Sequence, residues 1–132
     1  MVRGFEAYTE PLNQREREIV APLLARQLEW RKGKALAVTN NELRAMMRDK
    51  GYHLGDAKIR ALINHIRING LVERLVASSL GYYIAEDANE LADYCDSLRE
   101  REAAIRAVRQ ALEGQNTDKM RSFSSCLLYI RT

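Results

Sequence analysis

The chain has 132 residues, of which 46% are hydrophobic and 30% charged, with two prolines and a formal net charge of +3. This suits one domain with a core plus an appendage, and the composition is that of a folded, helix-rich protein and not of a disordered one. It excludes a bilayer-spanning segment, because no apolar run is long enough, and Glu6 and Glu10 stand where a signal peptide needs an apolar core, so a cytoplasmic location with no membrane partner is expected.

"NQRE", Asn13 to Glu16, is a capping pair that should start a helix with Ile19, Val20, Leu23, Leu24 and Leu28 on its buried face. Pro22 should kink that helix or mark a second start there, and Gly33 should end it. "ALAV", Ala35 to Val38, is too short for another helix and reads as a strand. "TNNE" repeats the capping box with Thr39 and Glu42 and opens a second helix, with Leu43, Met46 and Met47 facing inward and Gly51 stopping it. Tyr52 and Leu54 in the following turn can plug the space between helices. Asp56 is the expected cap of a third helix, which ends at Asn69 and Gly70.

In that third helix Ile59, Leu62, Ile63 and Ile66 recur at three- and four-residue steps, forming one apolar stripe for a core. Arg60, Asn64 and Arg67 are left on another face. Next, Leu71 to Ile84 fits two short antiparallel strands around the polar tip "SSLG". Asp87 and Glu90 then cap a long helix that carries a nearly heptad apolar pattern to Gly114, interrupted where Arg101 and Glu102 meet the seam. After Gly114 a linker is expected, and "CLLYI" near the end fits a strand, a helical turn or a peptide for a partner.

Charge is unevenly distributed. From Thr39 to Val76 Arg44, Arg48, Lys50, Lys58, Arg60, Arg67 and Arg74 outnumber Glu42, Asp49, Asp56 and Glu73, whereas from Asp87 to Glu113 the acids prevail. The basic segment suits a nucleic-acid partner, the acidic one a different partner. Cys95 and Cys126 lie far apart, with no CxxC pair, so neither a disulfide framework nor a zinc site is expected. With no phosphate-cradling glycine loop, no HExxH and no nucleophile with its base, the reading is a non-enzyme without cofactor, metal or small-molecule substrate.

The order helix, short strand, helix, turn, helix, hairpin, helix meets a resemblance at "TNNELRAMMRDKGYHLGDAKIRALINHIRINGLV" and "SSLGYYIAEDANELADYCDSLRERE". From about Leu12 to Glu113 the chain resembles the small winged helix-turn-helix DNA-binding proteins of bacteria, prophages and bacteriophages. There a "GYYIA"-like wing strand leads into a helix with a "YxxSLxxR"-like pattern, here Tyr94, Ser97, Leu98 and Arg101. The resemblance implies a mainly α fold with a small β-hairpin (α+β). It implies a winged domain over residues 1–86, with a helix-turn-helix core at 39–70 and a wing at 71–85. The long helix at 87–113 carries more apolar stripe than a small domain covers, so it is expected either to pair with a second copy or to fold back on the first helix, and 114–132 is expected to be linker and tail.

On that fold Asp56 to Asn69 is the recognition helix. Arg60 can pair with guanine and Asn64 with adenine, Arg67 extends the same face, and Ala61 completes it. Lys58 and His65 flank the face toward phosphates, while Arg74, Ser78 and Ser79 of the wing suit phosphates or the neighbouring minor groove. Singly, each also fits a plainer role: a solvated helix face for the arginines and Asn64, a structural side chain for His65, turn formation for the serines. The expected function is sequence-specific binding of double-stranded DNA, as a transcription regulator or a phage or prophage accessory. The rival is a winged-helix adaptor that binds protein through the acidic helix or the tail, and the two differ in whether Asp56 and Glu73 neutralise the basic surface.

Overall fold

Asn13 and Glu16 cap each other at the start of the first helical stretch. The Asn13 Oδ1 accepts the Glu16 N–H at 2.8 Å, and the Glu16 carboxylate accepts the Asn13 N–H at 3.0 Å. The structure, a computed structural model, describes residues 11–124, with side chains to residue 116. Glu6, Glu10, Cys126 and "CLLYI" lie outside the described residues. Those described fall into two units, one ending at Leu91 and one beginning at Ala92.

The first stretch is a π-helical turn, Glu16–Val20, followed by α1, Ala21–Leu28. Pro22 accounts for the change of winding: its ring has no N–H to donate and crowds the carbonyl one turn back, which a widened turn accommodates. The widened turn also shifts the helical register. Val20, Leu24 and Leu28 are buried, but Ile19, expected inside, is 50% exposed. α1 ends at Leu28 and not at Gly33. Gly33, at φ 92°, instead makes the following turn and donates its N–H to the Ile84 carbonyl at 2.9 Å.

Ala35 to Val38 is not the expected strand. Lys34–Leu36 is a 3-10 turn held by Arg31, whose guanidinium donates to the Leu36 carbonyl at 3.0 Å. Between Gly33 and Thr39 there is room to pair only one residue, and Val38 does so, exchanging backbone bonds of 2.9 and 2.8 Å with Tyr82.

α2, Asn40–Asp49, begins with the capping box its sequence indicates: Thr39 Oγ1 accepts the Glu42 N–H at 3.1 Å and the Glu42 carboxylate accepts the Thr39 N–H at 2.9 Å. Leu43 and Met47 are buried, and Met46, Tyr52 and Leu54 pack on the core edge. α3, Asp56–Ile68, is capped by Gly55 and receives no side-chain cap bond. Asp56 is the first helical residue and not the cap. Its carboxylate is drawn to Arg44 on α2 at 3.3 Å, and its charge still complements the positive end of the helix.

The hairpin is β1, Leu75–Ser78, against β2, Gly81–Ile84, antiparallel from Leu75↔Ile84 to Ser78↔Gly81. Leu71 and Val72, expected within the first strand, precede it. One core joins Leu24 and Leu28 of α1, Leu43 and Met47 of α2, the α3 stripe, Val72 and Leu75. Tyr83 is buried and its hydroxyl donates to Glu90 Oε2 at 3.1 Å. Half of the expected Asp87–Glu90 cap forms, with Asp87 Oδ1 accepting the Glu90 N–H at 2.8 Å, while the Glu90 carboxylate accepts the Glu86 N–H, also at 2.8 Å, in place of that of Asp87.

α4 spans Ala88–Ser124 and passes through Gly114, where a linker was expected. One helical glycine costs about 1 kcal/mol relative to alanine, too little to end a helix among Ala111, Leu112, Glu113 and Gln115. The described chain is thus mainly helical with one two-stranded antiparallel sheet. Among the described residues no helix is long and apolar enough to cross a membrane.

Candidate nucleic-acid interface

α3 is oriented by its buried stripe. Ile59, Leu62, Ile63 and Ile66 are almost wholly removed from water, and the helix packs on α1 and α2. Burying four such side chains contributes about 1.5–3 kcal/mol each, which holds the helix in one rotational setting. The opposite face is set by that choice. It presents exposed Arg60 and half-buried Ala61 and Asn64, and neither Arg60 nor Asn64 makes a side-chain hydrogen bond or ion pair among the described residues.

The other candidates on α3 are engaged in the fold. Lys58 Nζ lies 3.0 Å from the Glu16 carboxylate, both side chains being largely buried, so it links α3 to the π-helical turn. Arg67 Nε donates to the Leu75 carbonyl at 3.2 Å and ties the end of α3 to β1. His65 is half-buried beside Asn69, whose side-chain amide donates to the His65 carbonyl at 2.9 Å and lies 3.2 Å from its Nδ1. The structural reading of His65 therefore has a named partner, whereas Lys58, expected toward phosphates, and Arg67, expected on the outer face, are each bound within the fold.

In the hairpin, Ser78 Oγ accepts the Leu80 N–H at 3.0 Å, as a turn former does, and Ser79 is exposed at the tip. Both border a cleft of about 250 Å³ with Thr39, Asn40 and Tyr82, which sets the tip beside the start of α2. Arg74 is exposed, makes no ion pair among the described residues, and holds a left-handed backbone at φ 62°. The structure thus separates the sequence-derived set into an outer α3 group of Arg60, Ala61 and Asn64, a hairpin group of Arg74, Ser78 and Ser79, and three side chains committed to packing.

Of the acids that bear on the basic surface, Asp56 is held by Arg44 and Glu73 is exposed with no ion pair among the described residues. Sequence reasoning passed over a further basic group. Arg44, Arg48 and His53 line a cleft of about 260 Å³ with Leu54. The signal was present, since Arg44 and Arg48 stand one turn apart on the side of α2 away from Leu43 and Met47.

The Lys58 pair has a pH signature. The Glu16 carboxyl is held below its ordinary value of 4.5 by the Asn13 N–H first and by Lys58 second, against the opposing effect of burial. A depressed carboxyl contributes stability that is present above its unfolded value and lost as pH falls through the folded one. Glu16→Gln is therefore expected to cost on the order of 1 kcal/mol near neutral pH. The gap from the parent should narrow as pH falls below 4.5, because a protonated Glu16 no longer pairs with Lys58. Urea midpoints measured across pH test this; a gap that stays constant would show that the pair contributes nothing.

Comparison of the chain with protein-family models, with curated proteins and with solved structures finds no match.

Proposed function

We propose that the unit ending at Leu91 is a winged helix-turn-helix that binds double-stranded DNA, with α3 as recognition helix and the β1–β2 hairpin as wing. One observation carries this reading: the face of α3 turned away from the core offers Arg60 and Asn64, and no intramolecular side-chain partner draws on either among the described residues. In the major groove a guanine edge accepts two bonds from an arginine, and an adenine edge accepts one from an asparagine amide and donates one to its oxygen. The acid nearest that face along the helix, Asp56, is occupied by Arg44. Arg74 and the hairpin tip would add phosphate contacts, which fix register without reading sequence. Lys58 and Arg67 serve the scaffold in this reading, so the DNA surface is narrower than the sequence suggested. The biological role that follows is that of a transcription regulator or a phage or prophage DNA-binding accessory.

The test is fluorescence anisotropy of the whole chain with a random-sequence duplex over a salt series, followed by selection of a preferred site from a random library. The expected result is binding whose logarithm falls linearly with that of salt, by about 0.9 for each phosphate contacted, and a recovered consensus. Absence of binding at low salt would overturn the reading, because non-specific attraction does not depend on knowing the site. The adaptor alternative, with a protein partner on the acidic helix, would then take its place.

A further inference from the structure

Among the described residues the second unit carries exposed apolar side chains along α4. Leu98, Ile105, Val108 and Leu112 are 41%, 69%, 60% and 57% exposed. They fall on one side of α4, and Leu91, Leu98, Ile105 and Leu112 recur every seven residues. In heptad notation these are a positions, and Val108 is a d position. From Ala104 to Asn116 the face forms one open apolar surface.

What this face accepts is indicated by the side chains that flank it. With Leu98 and Ile105 at a, the e positions are Glu102 and Arg109, of opposite charge, and the g positions are Ser97, Ala104 and Ala111, all small and uncharged. Parallel helices pair g with e, so this pattern supplies them no charge pair, and it would set Arg101, at d, against its own copy in the seam. Antiparallel helices pair e with e. If Ile105 of one copy is set level with Val108 of the other, Glu102 and Arg109 come within about 3 Å along the axis, and the contact repeats across the two-fold. Arg101 then meets Leu112 of the other copy and not a second arginine. Glu102 and Arg109 are each already steadied by a pair within the helix, to Arg106 at 3.4 Å and to Glu113 at 2.9 Å. All four side chains remain more than half exposed, so a partner charge can be added without dismantling the helix.

We infer that α4 is an antiparallel self-association surface: a second copy of this chain docks its Leu98–Leu112 face on this one, with reciprocal Glu102–Arg109 pairs across a two-fold axis between Ile105 and Val108. The inference stands independently of the DNA reading, and its test contains no DNA. The overlap covers only about two and a half heptads, so the association is weak and concentration-dependent.

Sedimentation equilibrium of the whole chain from about 5 to about 200 µM is expected to show the mass rising from one chain toward two, and Ile105→Asp/Val108→Asp to remain at one chain. Glu102→Arg and Arg109→Glu singly should each weaken association about tenfold, and the double exchange should recover it, although it keeps both new repulsions within the helix. Circular dichroism of each variant separates lost pairing from lost helix. Orientation is read by spin labels at Asp96→Cys and, separately, at Gln110→Cys, on a background of Cys95→Ser/Cys126→Ser. In an antiparallel pair the label distance at 96 exceeds that at 110 by roughly 15 Å, whereas a parallel pair gives equal distances. A single chain at every concentration, a double exchange no better than either single one, or equal label distances would each overturn the inference.

Discussion

Gly81→Ala is expected to lower the free energy of unfolding by more than about 2 kcal/mol, seen as a large fall in denaturant midpoint at unchanged slope. Two separate physical demands meet at this residue. Its φ of 123° lies where an L side chain is strained, and a Cβ built there would stand 2.6 Å from the Val38 carbonyl carbon and 3.0 Å from the Thr39 nitrogen. Both are backbone atoms, so no flexible side-chain end can move aside. Val38 is fixed by its two bonds to Tyr82, and Thr39 by its capping box with Glu42. Relieving the clash means parting the hairpin from the segment that starts α2. Gly114 supplies the control. Nothing lies within 4 Å of a Cβ there and the residue is helical, so Gly114→Ala should be neutral or stabilising by up to about 1 kcal/mol. Equal effects at the two sites would show that crowding at Val38 is not what demands glycine.

Much of the fold was legible because its signals are local. The boxes at Asn13–Glu16 and Thr39–Glu42 depend on residues three apart, and both form as read. The α3 stripe is periodic over two full turns, and all four of its members are buried. The failures share the opposite property. Ile19 is turned outward by the register change ahead of Pro22, which simple helical spacing does not contain. Ala35 to Val38 became a 3-10 turn with one bridge because its pairing partner, Tyr82, lies more than forty residues away. Gly114 was weighed as a break when the residues around it outweigh it.

The candidate site divides along the same line. Arg60 and Asn64 were legible because they stand opposite a strong apolar stripe. Lys58 was misread as a surface cation, since no periodicity reveals that Glu16, forty-two residues earlier, is brought to 3.0 Å from it. Asp56 was misread as a cap because Arg44 draws its carboxylate away. Charge counted along the chain treats Lys58 and Arg60 alike, and the fold does not.

That difference between Lys58 and Arg60 gives the largest functional effect expected of one residue. Arg60→Glu should weaken duplex binding by about a hundredfold, roughly 3 kcal/mol, because it removes a donor and sets a negative charge against the groove. Stability should change by less than about 0.5 kcal/mol, since the side chain is exposed and holds nothing together. Lys58→Ala should do the reverse, costing on the order of 1 kcal/mol of stability by leaving Glu16 largely buried and without its cation, while DNA affinity changes less than about threefold. The salt series adds a second discrimination through Arg60→Ala. If Arg60 meets a phosphate, the salt slope drops by about 0.9; if it reads a base, the slope holds and preference at one position of the selected site relaxes, as it should for Asn64→Ala. Wild-type affinity in Arg60→Glu would remove the outer face of α3 from the interface, and DNA binding, if observed, would then have to run through the hairpin with Arg74 or through the cleft of Arg44, Arg48 and His53.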